Sequence, residues 1–147
     1  MDKPTALPAL DDSADTDDDQ DQSSQDPRHQ RRITLMQQLF AWSFNNKAVV
    51  TTPDFDSLVA ELPQIDADIQ LVAPERPLTD INKIDLAILR LIVFESKHHK
   101  TPFKVLIDEG VELAKTYGAE NSAKFINGVL AKLLAQTPTE SAETIEV

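Results

Sequence analysis

No cysteine occurs in the 147 residues. That removes disulfide frameworks, thiolate metal sites and a cysteine nucleophile at once. Glycine is nearly as scarce, with Gly110, Gly118 and Gly128 the only three, so no glycine-rich phosphate loop can be built. The single Asn-Gly pair, Asn127-Gly128, lies inside a helical pattern and does not mark a hairpin. No apolar run approaches the roughly 18 residues that a membrane span needs. Met1-Asp2-Lys3-Pro4 does not open a signal peptide. The expectation is a soluble, cytoplasmic protein. Metalloprotease and nucleophile-elbow motifs are also missing, so neither enzyme chemistry nor a cofactor is expected. His98-His99 does not rescue a metal site, because adjacent rings on a helix diverge by about 100°.

Charge is plentiful but segregated. Residues 1–27 hold nine aspartates and one lysine, residues 28–135 balance 13 basic against 13 acidic residues, and residues 136–147 add three glutamates. The net charge of −11 therefore comes from the ends, and the low overall pI does not exclude a nucleic-acid partner. Residues 9–26 offer only Ala and Leu as apolar types, too little to offset the entropy of ordering. Residues 1–25 are expected to be a disordered acidic tail, 26–136 a folded helical domain, and 137–147 a frayed end.

Apolar spacing is 3.6-like through the middle of the chain, which predicts an all-α fold. Asp26-Pro27 and Thr52-Pro53 each read as an N-cap followed by proline at the first helical position. The first helix is expected to reach about Asn46, with Ile33, Met36, Phe40 and Phe44 on one side. The second carries Phe55, Leu58, Val59 and Leu62. Pro63 opens a short third helix through Ile65, Ile69 and Val72. A fourth, from about Thr79 to Ser96, is apolar nearly all round and should be central. The fifth starts at Thr101-Pro102, points Leu106, Leu113 and Tyr117 inward, and closes on Gly118 as a C′ glycine. The sixth runs from near Asn121 to about Ala135.

Two faces stand out. Arg28, Arg31 and Arg32 are spaced i, i+3, i+4 and so share one side of a helix. Guanidinium groups in that arrangement can pair with phosphates and stack on unpaired bases. On the sixth helix, Lys124, Asn127, Gly128, Ala131 and Lys132 share the polar half. Two small residues between two lysines let another chain's backbone approach. Glu95 lies on the main stripe of the fourth helix, eleven residues after Ile84. Either the helix has ended and Glu95 is solvated, or a carboxylate is held at a partner surface.

From about Pro77 to Leu133 the sequence resembles the NusB family of transcription antitermination factors. The resemblance rests on linked motifs: Ile84-Asp85-x-Ala87-Ile88-Leu89-Arg90, Phe94-Glu95, Pro102-x-Lys104-Val105, Glu112-Leu113-Ala114-Lys115, and Lys124-Phe125-x-Asn127-Gly128-Val129-Leu130. The first helix fits more loosely, through Arg28, Arg31, Arg32, Gln37, Leu39, Phe40 and Trp42. The resemblance implies two packed helical subdomains and binding to boxA-type single-stranded RNA from ribosomal RNA leaders. It also implies pairing with NusE, a small-subunit ribosomal protein, in an antitermination complex with RNA polymerase. By position it implies that Arg28, Arg31 and Arg32 form the basic RNA-binding start. Lys124, Phe125, Asn127 and Gly128, with Lys132 on the same face, complete the RNA surface. Phe94 and Glu95 meet the ribosomal protein, which favours the partner reading of Glu95.

Some features depart from the family pattern. The stretch before Leu78 is short. His29 and Gln30 stand where more basic residues are usual, and Ala131 where the family typically has Asp. The acidic tail lies directly before Arg28 and can compete for the arginine face. These departures point to a rival reading, a helical interaction module that keeps the NusE contact but binds RNA weakly. A second rival, the RNA-binding module of an rRNA methyltransferase, lacks a cofactor-binding half here.

Overall fold

The computed structural model describes residues 26–45 and 50–135. The expectations for the acidic tail and for the C-terminal end lie outside these residues. Among the described residues the protein is all-α: α1 Pro27–Trp42, α2 Pro53–Ala60, α3 Leu62–Val72, α4 Lys83–His98, α5 Phe103–Tyr117 and α6 Ser122–Ala135, with a 3-10 turn at Leu78–Asp80. A boundary between two units falls after Ile33, so the first turns of α1 belong to one and Thr34 onward to the other. No helix among the described residues is long and apolar enough to cross a membrane.

Within the second unit, α4 is the central element. Leu86, Ala87, Ile88, Leu89, Leu91, Ile92, Val93 and Phe94 are all buried, as a helix apolar on every side requires. α5 lies along α6, both pack on α4, and α3 touches α4 and α6. Gly110 allows the closest approach: a Cβ there would come within 2.7 Å of Leu130 Cδ1 and 3.3 Å of Ile126 Cγ2. Polar pairs then fix α4 against α2 and α3. Arg90 binds Asp66 through two bonds of 2.9 Å, Lys97 reaches Asp68 at 3.0 Å, and His98 Nε2 lies 2.6 Å from Glu61 Oε2.

The caps explain most boundaries. The Thr52 hydroxyl accepts the Phe55 N–H at 3.2 Å with Pro53 following, as expected. α3 does open with Pro63 in its first turn. α1, however, stops at Trp42 rather than near Asn46. Ser43 Oγ donates to the Phe40 carbonyl at 2.6 Å, the chain turns, and Phe44 is left 64% exposed instead of joining the stripe. The fourth helix does not begin at Thr79. Ile81 is extended, and the Asn82 side chain accepts the Ile84 N–H at 2.8 Å, so α4 starts at Lys83 and continues to His98.

At α5 the expected threonine cap is not made. Thr101 Oγ1 donates to Glu95 Oε2 at 2.9 Å instead, and Pro102 takes the cap position. Tyr117, expected inside, is 37% exposed because it sits in the last turn beyond the packed stripe. Gly118 is extended and not left-handed. Its requirement is space: a Cβ would lie 2.6 Å from Ser122 Cβ and Oγ. Ser122 turns back there, accepting the Ala119 N–H at 2.8 Å.

Candidate nucleic-acid interface

The two cationic segments meet different fates. At the start of α1, Asp26 caps the helix by accepting the Arg28 N–H at 2.9 Å. The Arg28 guanidinium turns back on the same carboxylate, Nε at 3.4 Å and Nη2 at 3.5 Å. The backbone N–H of Arg28, then its side chain, hold the Asp26 carboxyl below the usual carboxylate range. The Arg28 side chain nevertheless stays 71% exposed, and Arg31 is exposed.

Arg32 corrects the expected three-arginine face, because only 6% of it is exposed. Counting along α1, Arg32 stands three, four and seven residues before the buried Leu35, Met36 and Leu39. It is thus the first buried position on that stripe, while Arg28, one turn earlier on the same stripe, stays exposed at the helix end. The arginine start is reduced to Arg28 and Arg31 at its surface.

α6 keeps what its sequence promised. Ile126, Val129, Leu130, Leu133 and Leu134 are buried, while Lys124, Asn127, Gly128, Ala131 and Lys132 are all exposed. A Cβ added at Gly128 would meet nothing within 4 Å. Among the described residues no packing calls for glycine at that position, so the gap between the lysines faces outward. Phe125 is half-buried at the edge of this face. The Arg76 guanidinium carbon lies 4.6 Å from its ring centroid.

The end of α4 carries the other pair of expected residues. Phe94 is buried, 5% exposed, and its ring centroid lies 4.6 Å from that of His98. Glu95 is half-buried within the helix, so the helix has not ended there. Its carboxylate is oriented by the Thr101 hydroxyl. What the structure brings to the surface near Phe94 is therefore a held carboxylate.

Three features escaped sequence reasoning. Asp85, in the first turn of α4, is only 4% exposed, and its Oδ1 has no hydrogen-bond partner among the described residues. Burial raises its carboxyl, against the lowering effects of the Ser122 side chain and the Arg76 charge. Gln70 binds the loop after α3, and Arg76 covers Phe125. Asp85 with Ser122 and Arg76 with Phe125 bring together residues far apart in sequence, the Gln70 bonds follow no helical spacing, and the sole local signal was Arg76 standing between Pro74 and Pro77.

The comparisons agree with this fold. A model described as the NusB family matches residues 10–135. The transcription antitermination protein NusB of Actinobacillus succinogenes is 36% identical over 129 residues, covering 73% of this chain and 89% of that protein. The same protein from Roseiflexus castenholzii is 44% identical over 75 residues, 49% of this chain, and there the match spans about half of the relative's length, 53%. Among solved structures, T. maritima NusB superposes with a TM-score of 0.70 at 27% identity, covering 80% of this chain and 97% of that one. With most of its length matched by the family model and its helices arranged as in a solved member, the chain belongs to the NusB family of transcription antitermination factors.

Proposed function

We propose that this protein binds boxA-type single-stranded RNA together with NusE and supports transcription of ribosomal RNA as part of an antitermination complex with RNA polymerase in the cytoplasm. The observation that carries this reading is the outward face of α6. Lys124 and Lys132 flank an open strip at Asn127, Gly128 and Ala131. Two cations beside a Cβ-free gap suit a ribose-phosphate backbone, which needs both neutralisation and close approach. The family resemblance also assigns Arg28 and Arg31, at the start of α1, to RNA binding. Glu95, held by Thr101, serves as the carboxylate that meets NusE, with Phe94 packed beneath the same turn.

The alternative of an interaction module with weak RNA binding draws on a specific observation: Arg32 is buried, and Arg28 already engages Asp26. An electrophoretic shift with a boxA RNA, with and without NusE, separates the two. The main reading expects a shift that NusE strengthens. The alternative expects NusE binding with no shift.

A further inference from the structure

The loop between α3 and the 3-10 turn holds its shape tightly for a surface segment. Gln70 Nε2 donates to the carbonyls of Ala73 at 2.9 Å and Arg76 at 2.8 Å, and Gln70 Oε1 accepts the Leu78 N–H at 3.3 Å. The Arg76 N–H closes a turn on the Ala73 carbonyl at 3.2 Å. Pro74 and Pro77 restrict the backbone on either side. One glutamine and two prolines thus preorganise the two residues between the prolines, Glu75 and Arg76, and Arg76 is exposed and lies over Phe125.

Phe125 sits one position after Lys124 and two before Asn127, on the edge of the α6 face. Phe125 is half-buried, with the Arg76 guanidinium carbon over its ring, and Arg76 as a residue is exposed. A planar cation backed by an aromatic ring is matched by a ligand that offers a π-face and an anion together. An unpaired nucleotide offers both: its base stacks, and its phosphate takes guanidinium hydrogen bonds.

We propose that Arg76 and Phe125 form a stacking platform for one unpaired base, extending the α6 face onto the α3 loop. This deepens, and rests on, the RNA-binding reading above. A purely structural arginine would instead serve as the positive charge that favours the buried Asp85 carboxylate. Lysine would preserve that charge while losing the planar face, so Arg76→Lys distinguishes the two roles.

The test uses the full chain and a labelled boxA RNA, as a single strand and annealed to its complement. Arg76→Lys and Phe125→Leu should each weaken single-strand binding by about 5- to 100-fold, the range of one lost base stack. The duplex, with its bases sequestered, should bind all variants alike. The double variant should be no worse than the weaker single one, because the two residues act as a unit. Single-strand affinity unchanged in Arg76→Lys, or an equal loss on the duplex, overturns the platform while leaving RNA binding intact. Wild-type protein that binds no RNA overturns both readings. A second arm needs no variant: abasic sites scanned through the RNA should find one position whose missing base costs wild type what Arg76→Lys costs. The absence of any such position overturns the platform.

Discussion

The start of α1 and the outer face of α6 look alike as sequence, each a short stretch of cations at helical spacing. Folding treats them differently. At α1 one arginine is drawn into the buried stripe and another is partly neutralised by its own cap, Asp26. At α6 both lysines stay exposed, and the glycine between them faces open space. The number of cations in a segment is therefore a poor measure of the charge it offers a ligand. Each cation's burial and its local partners decide how many remain available.

Substitution at Arg32 should break the comparison most severely. Arg32→Glu puts the wrong charge at a buried site and should cost about 3 kcal/mol or more, by analogy with disrupted buried charges. Arg28→Glu, at an exposed site, should leave the melting temperature nearly unchanged. Thermal denaturation of both variants checks this. Equal melting temperatures would mean that Arg32 is not the structural member of the pair.

At the end of α4, Glu95→Lys should weaken a NusE complex by about tenfold or more, as lost charge complementarity does at interfaces. The helix should persist, since Glu95 is only half-buried. Calorimetric titration with NusE reads the first effect and circular dichroism the second. A collapse in helicity would make Glu95 a residue of the fold.

Gly128→Ala sharpens the α6 side of the comparison. Alanine in an exposed helix interior should add up to about 1 kcal/mol of stability, while the new methyl group intrudes on a ligand backbone. Higher melting temperature with weaker RNA binding is the expected combination. Unchanged binding would show that the gap is unused.

Asp85→Asn has a smaller, pH-dependent effect. Burial raises the Asp85 carboxyl above its ordinary value, so the folded state holds this proton more tightly than the unfolded one. Stability should then fall as pH rises from the unfolded value, about 4, through the raised folded value, and stay reduced above it. The asparagine variant should melt higher than wild type at pH 7 and lose that advantage below about pH 4. A constant difference across this range would remove Asp85 as the cause.

Much of this was legible in the sequence because it is local. Asp26-Pro27 and Thr52-Pro53 carry their caps and prolines within four residues, and the faces of α6 follow from spacing alone. α4 was readable as central because its apolar residues leave no polar side. What failed depended on competition or distance. Arg32 lies on one stripe with both Arg28 and Leu35, and spacing alone does not show that it is buried while Arg28 is exposed. Asn82 captured the start of α4 three residues after a plausible threonine. Thr101 gave its hydroxyl to Glu95 rather than to its own helix. Gly118 was identified as necessary for the wrong reason, backbone handedness in place of the space taken by Ser122. The Gln70 clamp and the Arg76–Phe125 contact join residues that no periodicity links.

The central claim is that α6, more than the start of α1, supplies the available charge for RNA. The salt dependence of boxA affinity measures it directly, in Lys124→Glu/Lys132→Glu and in Arg28→Glu/Arg31→Glu. Each lost phosphate contact on a single strand flattens the slope of log affinity against log salt by about 0.7. The account predicts a flattening of about 1.4 for the lysine pair, two contacts by the same rule, and a smaller one for the arginine pair, since Arg28 is already engaged by Asp26. An unchanged slope in the lysine variant beside a flattened one in the arginine variant would contradict it.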